Sequence, residues 1–236
     1  MGNLSSNSRA FFITGTDTEV GKTFIGTALL KALAGKQYKT AAYKPIAAGC
    51  ERTDSGLRNE DAMALLSNAS LALSYDEVNP IALEPPIAPH LAADDAQALI
   101  SLDRVREGFL HLIAKQPDVL IVEGAGGWRL PVSSHYDGKP RYLSEFVIER
   151  NLAVILVVGM RLGCLNHAVL TAESIQQDGL KIVGWVANQI DPNMAMVSEN
   201  IESLQTLIDA PFLGAVPTLD KPGDAVEYID LALLGL

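Results

Sequence analysis

Six short apolar runs alternate along the chain with longer segments whose apolar residues recur at helical spacing. The runs are Ala10–Thr14, Thr40–Tyr43, Val119–Val122, Ala153–Val158, Ile182–Ala187 and Phe212–Val216. Several are nearly continuous in Val, Ile and Leu, the pattern of strands covered on both faces. Helices are predicted over 22–34, 59–66, 102–115, 143–150, 166–178 and 194–208, with Gly35 and Gly179 as helix stops. The alternation predicts an α/β fold: a single doubly wound, mostly parallel sheet with helices on both faces. Residues 1–9 are expected to be a flexible lead-in to one domain over 10–236, with no internal repeat and no dividing linker. The Pro-rich stretch Glu84-Pro85-Pro86-Ile87-Ala88-Pro89 is expected to be a rigid surface loop.

Polar or glycine residues follow each predicted strand: Gly15, Lys44, Glu123, Gly159, Asn188 and Pro217. In a parallel sheet these positions share the carboxyl edge, where ligands of such folds bind. The first of them opens the most informative stretch, Thr14-Gly15-Thr16-Asp17-Thr18-Glu19-Val20-Gly21-Lys22-Thr23, which leads from a strand into the helix starting near Phe24. This is the layout of a phosphate-binding loop and predicts a P-loop NTPase-like domain. Backbone N–H groups and the positive helix end face an anion, Lys22 adds a full charge, and the Thr23 hydroxyl is placed to ligate Mg²⁺. The spacing departs from the common form, because five residues rather than four separate Gly15 from Gly21, and Thr16 stands where the first glycine is expected.

Asp118-Val119-Leu120-Ile121-Val122-Glu123 carries an acid to the same edge, where an oxygen ligand can hold Mg²⁺ directly or through water. Gly124, Ala125 and Gly126 then let the backbone approach a bound group. Asp61 is either a second metal carboxylate or an ordinary first-turn helix acid. Lys44, held at a strand tip by Pro45, can stabilise a developing anion beside a triphosphate; the plainer reading is a solvated lysine. The segment Gly159 to His167 opens a helix after a buried strand and makes a second anion site suited to a carboxylate. Cys164 and His167 have no acidic orienter and read as packing and capping residues. Asn188 and Gln189 can face a purine edge, although Asn after a strand is usually a turn residue.

Composition narrows the function classes. Hydrophobic content of 48% with 19% charged residues fits a packed globule. A net charge of −10 argues against nucleic acid as a partner. No apolar run approaches the roughly 20 residues of a membrane helix, and the N-terminus lacks a signal peptide pattern. Two cysteines, Cys50 and Cys164, make no disulfide framework, so a cytoplasmic setting is expected. The four histidines, His90, His111, His135 and His167, have no metal-ligand spacing.

The motifs taken together resemble the dethiobiotin synthetase family. They are Thr14 to Thr23, Tyr43-Lys44-Pro45, Gly56-Leu57-Arg58-Asn59-Glu60-Asp61, Val122-Glu123-Gly124-Ala125-Gly126-Gly127-Trp128, Leu162-Gly163-Cys164-Leu165-Asn166-His167 and Gly184-Trp185-Val186-Ala187-Asn188. The five-residue gap in the phosphate loop is that family's form. The resemblance implies ATP- and Mg²⁺-dependent closure of a cyclic urea from 7,8-diaminononanoate and CO₂, giving dethiobiotin, ADP and phosphate, the penultimate step of biotin synthesis. It implies that Glu19, Val20, Gly21, Lys22, Thr23 and Phe24 cradle the nucleotide phosphates, and that Thr23, Asp61 and Glu123 hold Mg²⁺. Thr18, Lys22 and Lys44 would stabilise the transferring phosphoryl group and Lys44 the carbamate; Asn188, Gln189, Pro217, Thr218 and Leu219 would face the adenine. It further implies a homodimer in which Gly163, Cys164, Leu165 and Asn166 reach from the partner to the substrate carboxylate. Two departures stand out: Ala48 replaces the family's usual Ser at a substrate-contacting position, and the loop Arg129 to Arg141, with Ser133, His135, Asp137 and Lys139, is longer than usual. The alternative is a regulatory, partition-type ATPase of the same fold. Those carry an extra Lys early in the loop, where this chain has Thr16 to Val20, and often a basic C-terminal helix, where Asp224 to Leu236 is acidic and apolar.

Overall fold

The computed structural model describes residues 8–133 and 140–236. His135, Asp137 and Lys139, and most of the expected lead-in, lie outside the described residues. Arg9, expected in the lead-in, belongs to the first strand.

Six parallel strands form the central sheet: β1 (Arg9–Gly15), β2 (Thr40–Tyr43), β7 (Val119–Gly127), β8 (Ala153–Met160), β9 (Ile182–Gln189) and β10 (Phe212–Val216), in the spatial order β10-β9-β8-β1-β7-β2. The near-continuous apolar runs are explained by their alternation between two cores. Along β7, Leu120 and Val122 pack with Phe12, Phe109 and Phe146 on one face. Val119 and Ile121 pack with Ile13, Leu29 and Leu65 on the other. Side chains of a strand point alternately to its two faces, so a strand buried on both needs no polar position.

The first face is covered by α5 (Leu102–Ala114), α6 (Ser144–Glu149), α7 (Cys164–Gln177) and α8 (Val197–Leu207). In α5 the buried residues Leu102, Val105, Phe109, Leu112 and Ile113 recur at helical spacing, and the Ser101 side chain caps the helix by accepting from the Arg104 N–H. The second face is covered by α1 (Lys22–Gly35), α2 (Glu60–Asn68), the single turn α3 (Tyr75–Val78) and two C-terminal 3-10 turns, Pro222–Tyr228 and Leu231–Leu234. All six predicted helices are present within about three residues at each end. The unanticipated elements are short: α3 and the two 3-10 turns, β3 (Ile46–Ala47) paired with β6 (Ile81–Ala82), β4 (Glu51–Thr53) paired with β5 (Gly56–Arg58), and α4 (Pro89–Asp95), which begins at the last proline of the Pro-rich stretch. None is long enough to show a period.

Strands β1, β7, β8 and β9 outrun their apolar signal. Pairing between β1 and β7 continues past Ile13↔Glu123 to Gly15↔Gly127, across a register shift. Backbone pairing does not require apolar side chains, so the strand carries Glu123 into the sheet before it ends.

Candidate active site

The phosphate loop spans from β1 to the first residue of α1. Glu19 and Gly21 have positive φ, 59° and 89°, and turn the chain onto the helix. Gly21 is required twice over, since a Cβ there would also lie 2.1 Å from Asn188 Nδ2. That amide donates to the Val20 carbonyl at 2.9 Å. Asn188, expected as a turn residue or at a purine edge, thereby pins the phosphate loop. Asp17 accepts from the Thr18 N–H at 2.8 Å and pairs with Arg161 at the end of β8.

Lys22 bends back on the loop, its Nζ donating to the Asp17 carbonyl at 2.9 Å. Burial lowers its pKa to about 8; Lys44 lowers it as well, and Glu123, Asp61 and Asp17 oppose the shift.

Alternation along β7 puts Glu123 on the same face as Val119 and Ile121, under α1. Its side chain is fully buried. Oε1 accepts from Thr23 Oγ1 at 2.7 Å and from Lys44 Nζ at 2.5 Å. Lys44 extends from the tip of β2 and also pairs with Asp61 Oδ2 at 3.1 Å. The structure thus draws Thr23, Lys44, Asp61 and Glu123 together from α1, β2, α2 and β7. Burial opposes the charge on Lys44, but Glu123 and Asp61 outweigh it and hold the ammonium above its ordinary pKa. Burial also pushes Asp61 up; the Lys44 charge and hydrogen bonds from Lys44 and Thr23 outweigh it, and its carboxyl sits below the usual range. Lys44 is buried rather than a solvated lysine, and Asp61 is both a first-turn helix acid and a member of this cluster.

These groups line a cleft of about 1120 Å³. Thr18, Glu19, Gly21, Lys22, Thr23 and Phe24 form one wall, and Lys44, Ala48, Asp61, Glu123, Ala125 and Gly126 the floor and far side. Val20 and Gly124 are absent from this lining: Val20 is buried in the core, and a Cβ on Gly124 would meet the Phe12 ring at 2.8 Å. The Pro-rich loop is at the surface as expected, and Pro86, Ile87 and Ala88 also wall the cleft, as does Arg129. Sequence reading missed that role because a proline loop carries no sign of where it folds back.

Two expected groups lie outside this cleft. Gln189 and Thr218 meet at the ends of β9 and β10, where Thr218 Oγ1 donates to the Gln189 carbonyl at 2.9 Å; Asn188, Pro217 and Leu219 adjoin them along the chain. Gly163, Cys164, Leu165 and Asn166 open α7. Cys164 is buried in the core, whereas Gly163 and Asn166 are exposed and Leu162 beside them is 96% exposed.

A loop of this form at the carboxyl edge of a six-stranded parallel sheet, with a buried lysine and two acids beside it, defines an ATP-dependent enzyme of the P-loop class. Residues 9–225 match the family model described as "AAA domain". The chain is 49% identical over 229 residues to the ATP-dependent dethiobiotin synthetase BioD of Pseudomonas aeruginosa (strain UCBPP-PA14), covering 96% of this chain and 98% of that one. It is 50% identical over 230 residues to the protein of that name from Cellvibrio japonicus, covering 97% and 98%. Among solved structures it superposes on the MinC:MinD cell division protein complex of Aquifex aeolicus (TM-score 0.56, 16% identity, 96% of this chain and 88% of that one). It also superposes on a ParA family ATPase from Chlorobium tepidum TLS (TM-score 0.54, 18% identity, 98% and 89%). At those identities the structural likeness shows the fold alone. The chain belongs to the ATP-dependent dethiobiotin synthetase family and is an enzyme of the ligase class. No helix among the described residues is long and apolar enough to cross a membrane.

The Lys22 shift gives a testable pH dependence. A triphosphate bound against Lys22 would stabilise the ammonium, so that binding above pH about 8 would take up a proton. ATP affinity measured by calorimetry from pH 7 to 9.5 is expected to weaken toward tenfold per pH unit above that value. Affinity that stays level across the range would remove Lys22 from phosphate recognition.

Proposed function

We propose that the chain joins CO₂ to the two amines of 7,8-diaminononanoate, at the expense of ATP, to close the cyclic urea of dethiobiotin. The observation that carries this reading is the buried lysine between two carboxylates next to the phosphate loop. One substrate amine takes up CO₂ as a carbamate. The carbamate oxygen attacks the γ-phosphorus, giving a mixed carbamic–phosphoric anhydride and ADP. The second amine attacks the carbonyl carbon, the C–O bond to phosphate breaks, and phosphate leaves.

The protein contributes position and charge rather than covalent chemistry. Lys22 and the backbone of Glu19 to Phe24 hold the phosphates. Thr18 faces the transferring group from the mouth of the loop. Lys44 turns from the carboxylates to the carbamate and the phosphoryl oxygens, where negative charge is greatest in the transition state. Asn188, Gln189, Pro217, Thr218 and Leu219 face the adenine.

Thr23, Asp61 and Glu123 would hold Mg²⁺. The set fits a hard cation: all donors are oxygen, and Glu123 Oε2 is buried without a hydrogen-bond partner among the described residues. The ion would supply positive charge against the transferring phosphoryl group.

A second copy of the chain completes the site. The exposed turn at Gly163, with Leu162 and Asn166, lies outside the cleft of its own subunit and reaches the substrate carboxylate of the other. Free, buried Cys50 and Cys164 suit a reducing cytoplasm. Gly163 has φ 94° and open space where a Cβ would stand. Gly163→Phe is therefore expected to raise the KM for the diamine about tenfold or more, through backbone strain and the side chain's bulk, while the KM for ATP stays within twofold. A selective loss of ATP affinity would refute the assignment.

A further inference from the structure

We propose that Tyr75 and Asn79 are positioning residues of this reaction, setting the backbone of Lys44 against the helix that carries Asp61. The inference rests on the roles given to Lys44 and Asp61 above.

Lys44 is gripped by its main chain on both sides. Its N–H donates to the Val78 carbonyl at 2.8 Å, and its carbonyl accepts from Asn79 Nδ2 at 2.6 Å. The next residue is proline and has no N–H to add. The Asp61 side is held by Asn59, which caps α2 by accepting from the Ala62 N–H at 3.2 Å and donates from Nδ2 to the Ala48 carbonyl at 3.3 Å. Tyr75 joins the two sides. Its hydroxyl accepts from the Asn59 N–H at 2.8 Å and donates to Asn79 Oδ1 at 2.9 Å.

Chemistry forces the direction of every link. A backbone N–H only donates, so the Tyr75 oxygen accepts there and its proton goes to Asn79. Asn79 must then present its oxygen to Tyr75 and its NH₂ to the carbonyls of Lys44 and Ile81. Tyr75, Asn79 and Asn59 are each less than a tenth exposed, so a broken link would leave an unpaired buried group. The Arg58 guanidinium lies 4.2 Å from the Tyr75 ring centre and closes the network from outside. One hydroxyl thereby adds a second link, on the backbone side, between the segment that carries Lys44 and the helix that carries Asp61, beside the Lys44–Asp61 ion pair.

The test compares Tyr75→Phe and Asn79→Asp with Lys44→Ala. Tyr75→Phe removes one oxygen and keeps the ring. Asn79→Asp keeps the shape but sets a carboxylate oxygen against the Lys44 carbonyl. Both are expected to lower kcat about 10- to 100-fold per molecule able to bind ADP, since a small misplacement at a reacting centre has effects of this size. The KM for ATP and the calorimetric Kd for ADP should stay within twofold. A lowered Tm with unchanged kcat would make the network merely structural and overturn the proposal. If Lys44→Ala is inactive while both network variants turn over normally, the positioning role alone fails. If Lys44→Ala itself turns over normally, the role given to Lys44 fails and the positioning role with it. Tyr75→Phe decides the question if Asn79→Asp does not fold.

Discussion

Lys44→Ala is expected to slow ring closure on the order of 10³-fold while ATP binding changes only a few-fold, because its charge serves the transition state more than the ground state. The same variant should be markedly less stable. Glu123 is fully buried and Lys44 nearly so, and they are joined at 2.5 Å. Removing one partner of a buried pair leaves the other charge buried without its counter-ion, a loss of about 3–5 kcal/mol. Asp61, with a half-exposed side chain, adds little to that sum because solvent screens it. Turnover by product formation, ADP binding by calorimetry and Tm by thermal unfolding separate the three effects. Unchanged turnover in the folded variant would remove Lys44 from the chemistry.

Lys22→Ala is expected to abolish phosphoryl transfer, with a loss of at least about 10³-fold, and yet not to destabilise the fold. Lys22 is held in a position that disfavours its charge: burial has brought its pKa to about 8 from 10.5. Below pH about 8 the ammonium is charged in both states, and the folded state bears the full cost. As pH rises from there to the unfolded value, the unfolded chain binds more protons and the folded state gains relative stability. A shift of this size opposes folding at neutral pH by roughly 3 kcal/mol at most, less the packing of the side chain's stem. The variant's Tm at pH 7 should equal or exceed that of the unmodified chain. This is the opposite sign to Lys44→Ala, although the two lysines line one cleft. Function has placed a charge in Lys22 where stability alone would not. Near-normal product formation would overturn the phosphate-loop assignment, and a large fall in Tm would overturn the account of its burial.

The fold was legible wherever a run was long enough to show its period. Runs such as Val119–Val122 and Ala153–Val158 marked strands covered on both faces, and the two cores bear that out. The ends of β7, β8 and β9 were not legible, because pairing continues through Glu123, Gly159 and Asn188, whose side chains carry no strand signal. The site was legible in its parts and not in its joints. Gly21, Lys22 and Thr23 announced themselves by local spacing. The bond from Thr23 to Glu123 spans 100 residues and the one from Asn188 to Val20 spans 168, and no local pattern encodes either. For the same reason Asn188 read as a turn or a purine contact rather than a brace for the phosphate loop. Asp61 read equally well as a helix-start acid until α2 brought it to Lys44. Tyr75 and Asn79 look like an ordinary pair one helical turn apart, and only the fold shows what lies at either end of them.

The most direct test of the central claim is a mass-spectrometric product assay with ATP, Mg²⁺, bicarbonate and 7,8-diaminononanoate, each omitted in turn. The account predicts a product heavier than the diamine by one carbonyl less two hydrogens, formed only in the complete mixture and matched one-for-one by released phosphate. ATP hydrolysis that proceeds equally without the diamine, with no urea product, would contradict it.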